Sequence, residues 1–262
     1  MAKKIVITSG KGGVGKTSVT ANLGIFLSKM GKKIALFDVD FGLNNLDVVL
    51  GIEKKVVFDV SDVLDGRCRL KQALIQHEFY KNLYVLPSDK INSLSNLSGQ
   101  NLKLILEKFS YSFDYILIDC PAGIDLGFHR AVSCADQVLV VVTPDSTSIR
   151  DASKVLSIIK SYKPEYSGLI INKVRGDLIV GNKSVHPIEI SRILKTELLG
   201  VLPDDDDIMF LYDRGLPKKS NSYKAYRILT DNFLSGKRKI FDTCNKYTGF
   251  FGSIRRGIKS NI

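Results

Sequence analysis

Between positions 10 and 17 the chain reads Gly10-Lys11-Gly12-Gly13-Val14-Gly15-Lys16-Thr17, which satisfies the pattern G-x-x-x-x-G-K-[ST] with an additional lysine in its second position. The chemistry that needs this arrangement is the binding of nucleotide phosphates. Four glycines let the backbone curl until its N–H groups face inward, Lys16 sets a cation against the β- and γ-phosphates, and the Thr17 hydroxyl is a ligand for Mg²⁺. Gly10 through Ser18 are therefore the expected phosphate-binding residues. Ahead of them Ile5-Val6-Ile7 is a β-branched run, and behind them Val19, Leu23, Phe26, Leu27 and Met30 fall at helical spacing until Gly31. A strand, a glycine loop and a helix N-terminus in that order aim peptide dipoles at an anion.

Three carboxylates are spaced to serve such a loop. Asp38 and Asp40 follow the apolar run from Ile34, and Asp119 ends the run Tyr115 to Ile118. A hard cation bound to phosphates takes one or two carboxylates and keeps several waters, and a further carboxylate can orient the attacking water. Asp38 and Asp119, with Thr17, are the expected metal ligands. Two more features suit a purine: Asn172, whose amide can read donor and acceptor edges, and Pro203-Asp204 at the close of the next apolar run. The aspartates from Asp204 to Asp207 equally suit a capping role for a following helix.

These side chains need a scaffold that brings distant segments to one edge. Ile34 to Val39, Leu83 to Leu86, Tyr115 to Ile118, Val138 to Val142, Leu169 to Ile171 and Leu198 to Leu202 are short and mostly apolar, as strands covered on both faces are. Helical patterns lie between them at Leu102 to Phe109, Ile149 to Ile159 and Ile188 to Leu194. The expected fold is α/β, a single P-loop NTPase domain whose mainly parallel sheet carries helices on both faces and whose ligands sit at the strand C-termini. The stretch from Asp89 to Gln100, rich in serine and asparagine, reads as a loop.

With 262 residues and 44% hydrophobic content the chain is long enough for one sizeable core, and it has no run of apolar residues long enough to span a membrane. It enters its first apolar run at once, so neither a signal peptide nor a transit peptide is expected. Four cysteines and three histidines show no paired spacing, which argues against a metal or disulfide framework. The net charge is +11, and from Lys218 onward eleven basic side chains face two acidic ones, so the tail holds +9 of it. An anionic partner at the C-terminus follows, either a membrane surface or a nucleic acid. Within that tail Phe250, Phe251, Ile254 and Ile258 share one helical direction while Arg255, Arg256 and Lys259 take others, the pattern of an amphipathic membrane-surface helix. Its glycines disfavour an isolated helix by about 1 kcal/mol each, so the segment is expected to order on lipid rather than in water. The expected division is a domain over 1–236 and a flexible basic tail over 237–262.

The loop with Lys11, the pair Asp38 and Asp40 ahead of Gly42-Leu43-Asn44-Asn45-Leu46-Asp47, and Asp119-Cys120-Pro121-Ala122-Gly123-Ile124 together resemble the deviant Walker A (MinD/ParA) P-loop ATPases. The likeness runs nearly end to end and is strongest to the branch that places the division site. It implies a slow, partner-stimulated ATPase with ATP and Mg²⁺ as cofactors. It also implies an ATP-sandwiched homodimer in which Lys11 reaches the phosphates of the second copy, while Lys16 acts within its own. Asp40 would position the hydrolytic water, making Lys11, Lys16 and Asp40 the catalytic set. Asp119 would lie in the second switch, Asn172 with Pro203 and Asp204 would hold adenine, and Ile149-Arg150-Asp151 would open a helix at the dimer and partner surface. The implied partners are an anionic membrane, a MinC-like inhibitor of division-ring (FtsZ) assembly and a MinE-like stimulator of hydrolysis, with no specific nucleic acid. Asn44 stands where many bacterial members carry a basic residue. The implied location is the cytoplasm and the inner face of the cell membrane, or the stroma and inner envelope of a plastid. A ParA-like DNA-partition ATPase is the rival reading, although phosphate contacts give no use for paired phenylalanines. A homodimeric reductase sharing an iron–sulfur cluster is a third, for which Cys120 and Cys134 offer no cluster spacing.

Overall fold

The computed structural model describes residues 1–39, 45–88, 99–210 and 216–259. Eight strands form one sheet: β1 (Lys3–Thr8), β2 (Ile34–Asp38), β3 (Ile75–Gln76), β4 (Leu83–Leu86), β5 (Tyr115–Asp119), β6 (Gln137–Val142), β7 (Tyr166–Val174) and β8 (Glu197–Pro203). Their order across the sheet is β3-β4-β2-β5-β1-β6-β7-β8, parallel throughout except for the antiparallel pair β3 and β4. The helices are α1 (Lys16–Lys29), α2 (Asn45–Val49), α3 (Val60–Leu64), α4 (Leu70–Ala73), α5 (Gly99–Ser110), α6 (Leu126–Ser133), α7 (Ser146–Tyr162), α8 (Gly176–Val180), α9 (Pro187–Leu194), α10 (Asn221–Ser235) and α11 (Gly249–Lys259). No described helix is long and apolar enough to cross a membrane.

Alternation along each strand divides the core in two. Val6, Phe37, Ile118 and Val140 face the cluster under α5, α6, α7 and α9, whereas Ile5, Ile7, Leu36, Leu117 and Leu139 face the cluster under α1 and α10. Both faces being covered, the strands read as continuous apolar runs, which is why each of the expected parallel strands is present. The differences lie at weak signals. The edge pair β3 is only two residues long, and Gly99 and Gln100 open α5 instead of closing a loop; the rest of the expected loop, 89–98, falls outside the described residues. Helix α10 escapes the apolar periodicity because its buried face mixes Ala225, Tyr226 and Leu229 with Ser222, Thr230 and Asn232.

Gly236, with φ of 70°, ends α10 where the domain boundary is expected. The segment that follows lies on the domain. The Asn232 amide donates to the carbonyls of Leu199 and Lys239 and accepts from the Lys239 N–H, Arg238 pairs with Glu197, and Tyr247 is buried.

Candidate functional site

Seven residues, from Ser9 to Gly15, carry the chain from β1 into α1. Two of them take left-handed backbone that only glycine adopts without strain, Gly13 with φ of 78° and Gly15 with φ of 89°. The loop's outer carbonyls are tied down by protein donors: Asn172 Nδ2 to Val14 O at 2.8 Å, Lys173 Nζ to Gly13 O at 2.7 Å and Ser9 Oγ to Lys11 O at 2.9 Å. The amides of the first turn of α1 have no helical acceptor, and that turn carries no acidic residue. They open on a cavity of about 560 Å³ lined by Gly12 to Ser18, Asn45 and Pro121. This is an anion cradle.

Beneath it two charges meet out of solvent. Lys16 Nζ lies 3.3 Å from Asp119 Oδ1, with Lys16 only 7% exposed and Asp119 not at all, and Thr20 Oγ1 donates to the same oxygen at 3.1 Å. Burial pushes the Asp119 carboxyl up, against the pull of Lys16 and the hydroxyls of Thr17 and Thr20. Its other oxygen, Oδ2, is buried with no hydrogen-bond partner among the described residues. Asp38 stands directly beside Asp119 in the β2/β5 register and accepts from the Leu46 N–H of α2 at 3.3 Å. Two carboxylates, one with an unsatisfied oxygen, next to a threonine hydroxyl make a hard-donor set that fits Mg²⁺ bound beside phosphate. Of the expected metal ligands, Asp38 and Asp119 are neighbours across the sheet, and the Thr17 hydroxyl acts on the Asp119 carboxyl. Asp40 and Asn44 lie outside the described residues.

Lys11 takes a different course from Lys16. Its ammonium points along the loop to Asp145 Oδ1 at 2.9 Å and Thr147 Oγ1 at 3.1 Å, at the start of α7 in the same chain. Asp145 is the N-cap of that helix, accepting from the Ser148 N–H and from the hydroxyls of Thr143 and Thr147. Partial burial pushes its carboxyl up, but those hydrogen bonds and Lys11 outweigh it and hold the group well below the usual carboxylate range. The next turn of α7 presses on the loop: a Cβ at Gly10 would come within 2.5 Å of the Asp151 carbonyl carbon. Arg150 points outward and Asp151 pairs with Lys154 at 3.4 Å.

The residues expected to hold a base are divided. Asn172 is buried at the loop, its donor spent on Val14 and its Oδ1 left without a partner among the described residues. Pro203 and Asp204 line a separate cavity of about 310 Å³ with Arg175 and the tail from Phe241 to Tyr247. Asp205, next along, holds the amides of Asp207 and Ser222, so the aspartate turn also caps α10.

At the far end of the tail lies α11, the segment expected to order on lipid. It docks because Gly252 has no side chain: a Cβ there would meet the Tyr247 carbonyl carbon at 2.3 Å. Arg256 donates to Tyr247 O at 2.7 Å and Arg255 to Lys246 O at 3.5 Å, so both turn back toward the chain. Phe250, Phe251 and Ile254 remain 78%, 76% and 50% exposed; Ile258 is in the helix, with its side chain outside the described residues. Sequence reasoning missed Thr20, Asp145 and Thr147. Thr20 alone had a signal, its position one turn after Lys16; the others reach the loop across the sheet.

A family model described as AAA domain matches residues 2–171. The septum site-determining protein MinD of Thermotoga maritima is 37% identical over 98% of this chain and 100% of its own length. The protein of the same name from Bacillus subtilis is 38% identical, covering 89% of this chain and 90% of its own. Among solved structures, the MinC:MinD cell division complex of Aquifex aeolicus superposes with a TM-score of 0.82 at 38% identity, over 90% of this chain and 96% of that one. The Mg-ADP complex of MinD from Pyrococcus horikoshii does so with 0.79 at 29% identity, over 90% and 97%.

Proposed function

The chain belongs to the MinD family of septum-site-determining P-loop ATPases, and from that premise we propose that it is a nucleotide-controlled switch that ATP turns into a membrane-bound homodimer. The observation that carries this reading is the division of labour between two lysines of one loop. Lys16 is buried on Asp119 and belongs to its own phosphates, whereas Lys11 lies at the surface on the exchangeable partner Asp145. Surface ion pairs contribute only about 0–1 kcal/mol, so a phosphate of a second copy can outcompete Asp145 for Lys11. Thr17, Asp38 and Asp119 would hold Mg²⁺, which would supply charge neutralisation at the phosphates. Asp40 would orient the attacking water, and Asn172, with Pro203 and Asp204, would hold adenine.

Dimerisation doubles the number of apolar anchors presented by Phe250, Phe251 and Ile254 on one particle, which raises avidity without a new contact. The dimer then gathers a MinC-like division inhibitor at an anionic membrane, in line with the MinC:MinD complex known for the Aquifex aeolicus relative. A MinE-like factor stimulates hydrolysis and releases it. The working location is the cytoplasmic face of the membrane, or the corresponding face in a plastid. Sedimentation with anionic liposomes in ATP, in ADP and with competing DNA tests the proposal. ATP-specific recovery with vesicles, indifferent to DNA, is the expected result; ATP-specific retention on DNA would move the chain to the partition class.

A further inference from the structure

A third cavity, of about 670 Å³, lies at the opposite edge of the sheet from the phosphate loop. Lys33 immediately precedes β2, Phe113 precedes β5 and Tyr84 is near the start of β4, so the cavity opens at the strand N-termini. Its rim carries four cations from three separate segments: Lys33 before β2, Arg69 and Lys71 at the N-cap and in the first turn of α4, and Lys108 on α5. No carboxylate lines it, and none of these four side chains forms an ion pair with a described residue. The first 217 residues carry a net charge of only +2, so four cations around one cavity are a local concentration rather than an overall excess. The floor is apolar and aromatic, built from Tyr84, Phe109 and Phe113 in edge contact. Lys33 is held over it, its ammonium 5.5 Å from the Tyr84 ring centre and 5.3 Å from that of Phe113. Cavities of a few hundred Å³ with apolar walls and a few convergent polar groups are the usual form of a small-ligand site.

We propose that this cavity is a second ligand site, for a small phosphate monoester or diester on an apolar body. The aromatic floor takes the apolar body, while the planar fork of Arg69 and the ammonium groups of Lys71 and Lys108 take the phosphate. The ligand is either a soluble aryl or alkyl phosphate or the headgroup region of an anionic phospholipid. The site is independent of the ATPase reading, since none of its residues touches the loop.

The test is amide chemical-shift mapping of the full chain saturated with Mg-ADP, which keeps the phosphate loop filled. Phenyl phosphate, dihexanoyl phosphatidylglycerol below its micelle concentration and inorganic phosphate are titrated separately. Saturable shifts confined to Lys33, Lys71, Ser112 and Phe113 with either organic phosphate are expected, and which one binds more tightly identifies the source. Arg69→Glu and Lys108→Glu each weaken binding about tenfold or more, as loss of a charge-assisted contact does. Lys108→Gln gives a milder loss and guards against misfolding, and basal ATP hydrolysis stays unchanged in all three. Scattered or absent shifts, shifts indifferent to the charge reversals, or inorganic phosphate binding as tightly as phenyl phosphate would each overturn the assignment.

Discussion

Lys11 and Lys16 are five residues apart in one loop, and their surroundings give them opposite energetic weights. Removing one partner of a buried pair costs roughly 3–5 kcal/mol because the other charge is stranded, whereas an exposed pair is worth about 0–1 kcal/mol. Lys16→Ala is therefore expected to lose nucleotide binding and to unfold at clearly lower denaturant, leaving Asp119 without its cation. Lys11→Ala is expected to keep wild-type stability and nucleotide binding as a monomer while losing ATP-dependent dimerisation and turnover. Denaturation with urea, fluorescent-nucleotide titration and size exclusion in ATP separate the two; a Lys11→Ala protein that still dimerises and hydrolyses normally rules out the division of labour. Asp145 supplies a pH signature. Its folded-state pKa is depressed, so its contribution to stability is fully present above the ordinary carboxylate value of about 4 and declines as pH falls below it. Urea midpoints of wild type and Asp145→Asn are expected to differ by a constant amount from pH 5 to 7 and to converge toward pH 3. A gap unchanged at pH 3 would show that the carboxylate's charge has no part in it.

Helix α11 sets two effects of one residue against each other at the scale of the element. Gly252→Ala improves helix propensity by about 1 kcal/mol, yet it places a Cβ 2.3 Å from the Tyr247 backbone, which cannot yield as the end of a flexible side chain would. Steric exclusion wins, and the helix leaves its seat on the 245–247 turn. Faster amide exchange across 246–256 with an unchanged thermal midpoint for the domain is the expected outcome; protection equal to wild type would mean that α11 is not docked through Gly252. Gly10→Ala applies the same reasoning to α7, where a Cβ 2.5 Å from the Asp151 carbonyl carbon pushes that helix off the loop. Overpacking of this kind costs about 1–3 kcal/mol, and nucleotide affinity is expected to fall with stability.

For the whole molecule, the proposed function assigns the exposed apolar side chains of α11 the task of turning dimerisation into membrane attachment. Full burial of a phenylalanine side chain contributes about 1.5–3 kcal/mol, so partial insertion of Phe250, Phe251 and Ile254 is expected to hold a dimer on a vesicle more firmly than a single copy. Phe251→Glu is expected to dimerise with ATP in solution and to stay in the supernatant with anionic vesicles. Recovery of the wild type with vesicles is expected to be greatest at low salt, because Arg255 and Arg256 would add screened attraction. Equal sedimentation of the two proteins would remove α11 as the anchor.

The sequence by itself determined the phosphate loop, the parallel strands and the two strand-end carboxylates Asp38 and Asp119. Each of these is written in contiguous residues, by a glycine pattern that only phosphate binding requires or by apolar runs that only a sheet covered on both faces requires. Tertiary structure alone decided which partner each charge meets. Asp145 lies 134 positions from Lys11, and Asn172 and Lys173 lie 158 and 160 positions from the carbonyls they hold; crossovers of the sheet bring them together, and no local spacing records that. It likewise decided that the tail rests on the domain and that α11 is seated. The glycine that weakens α11 as an isolated helix is the residue that lets it approach the Tyr247 backbone, because what costs a helix in solution is an absent side chain, and an absent side chain is what close docking needs.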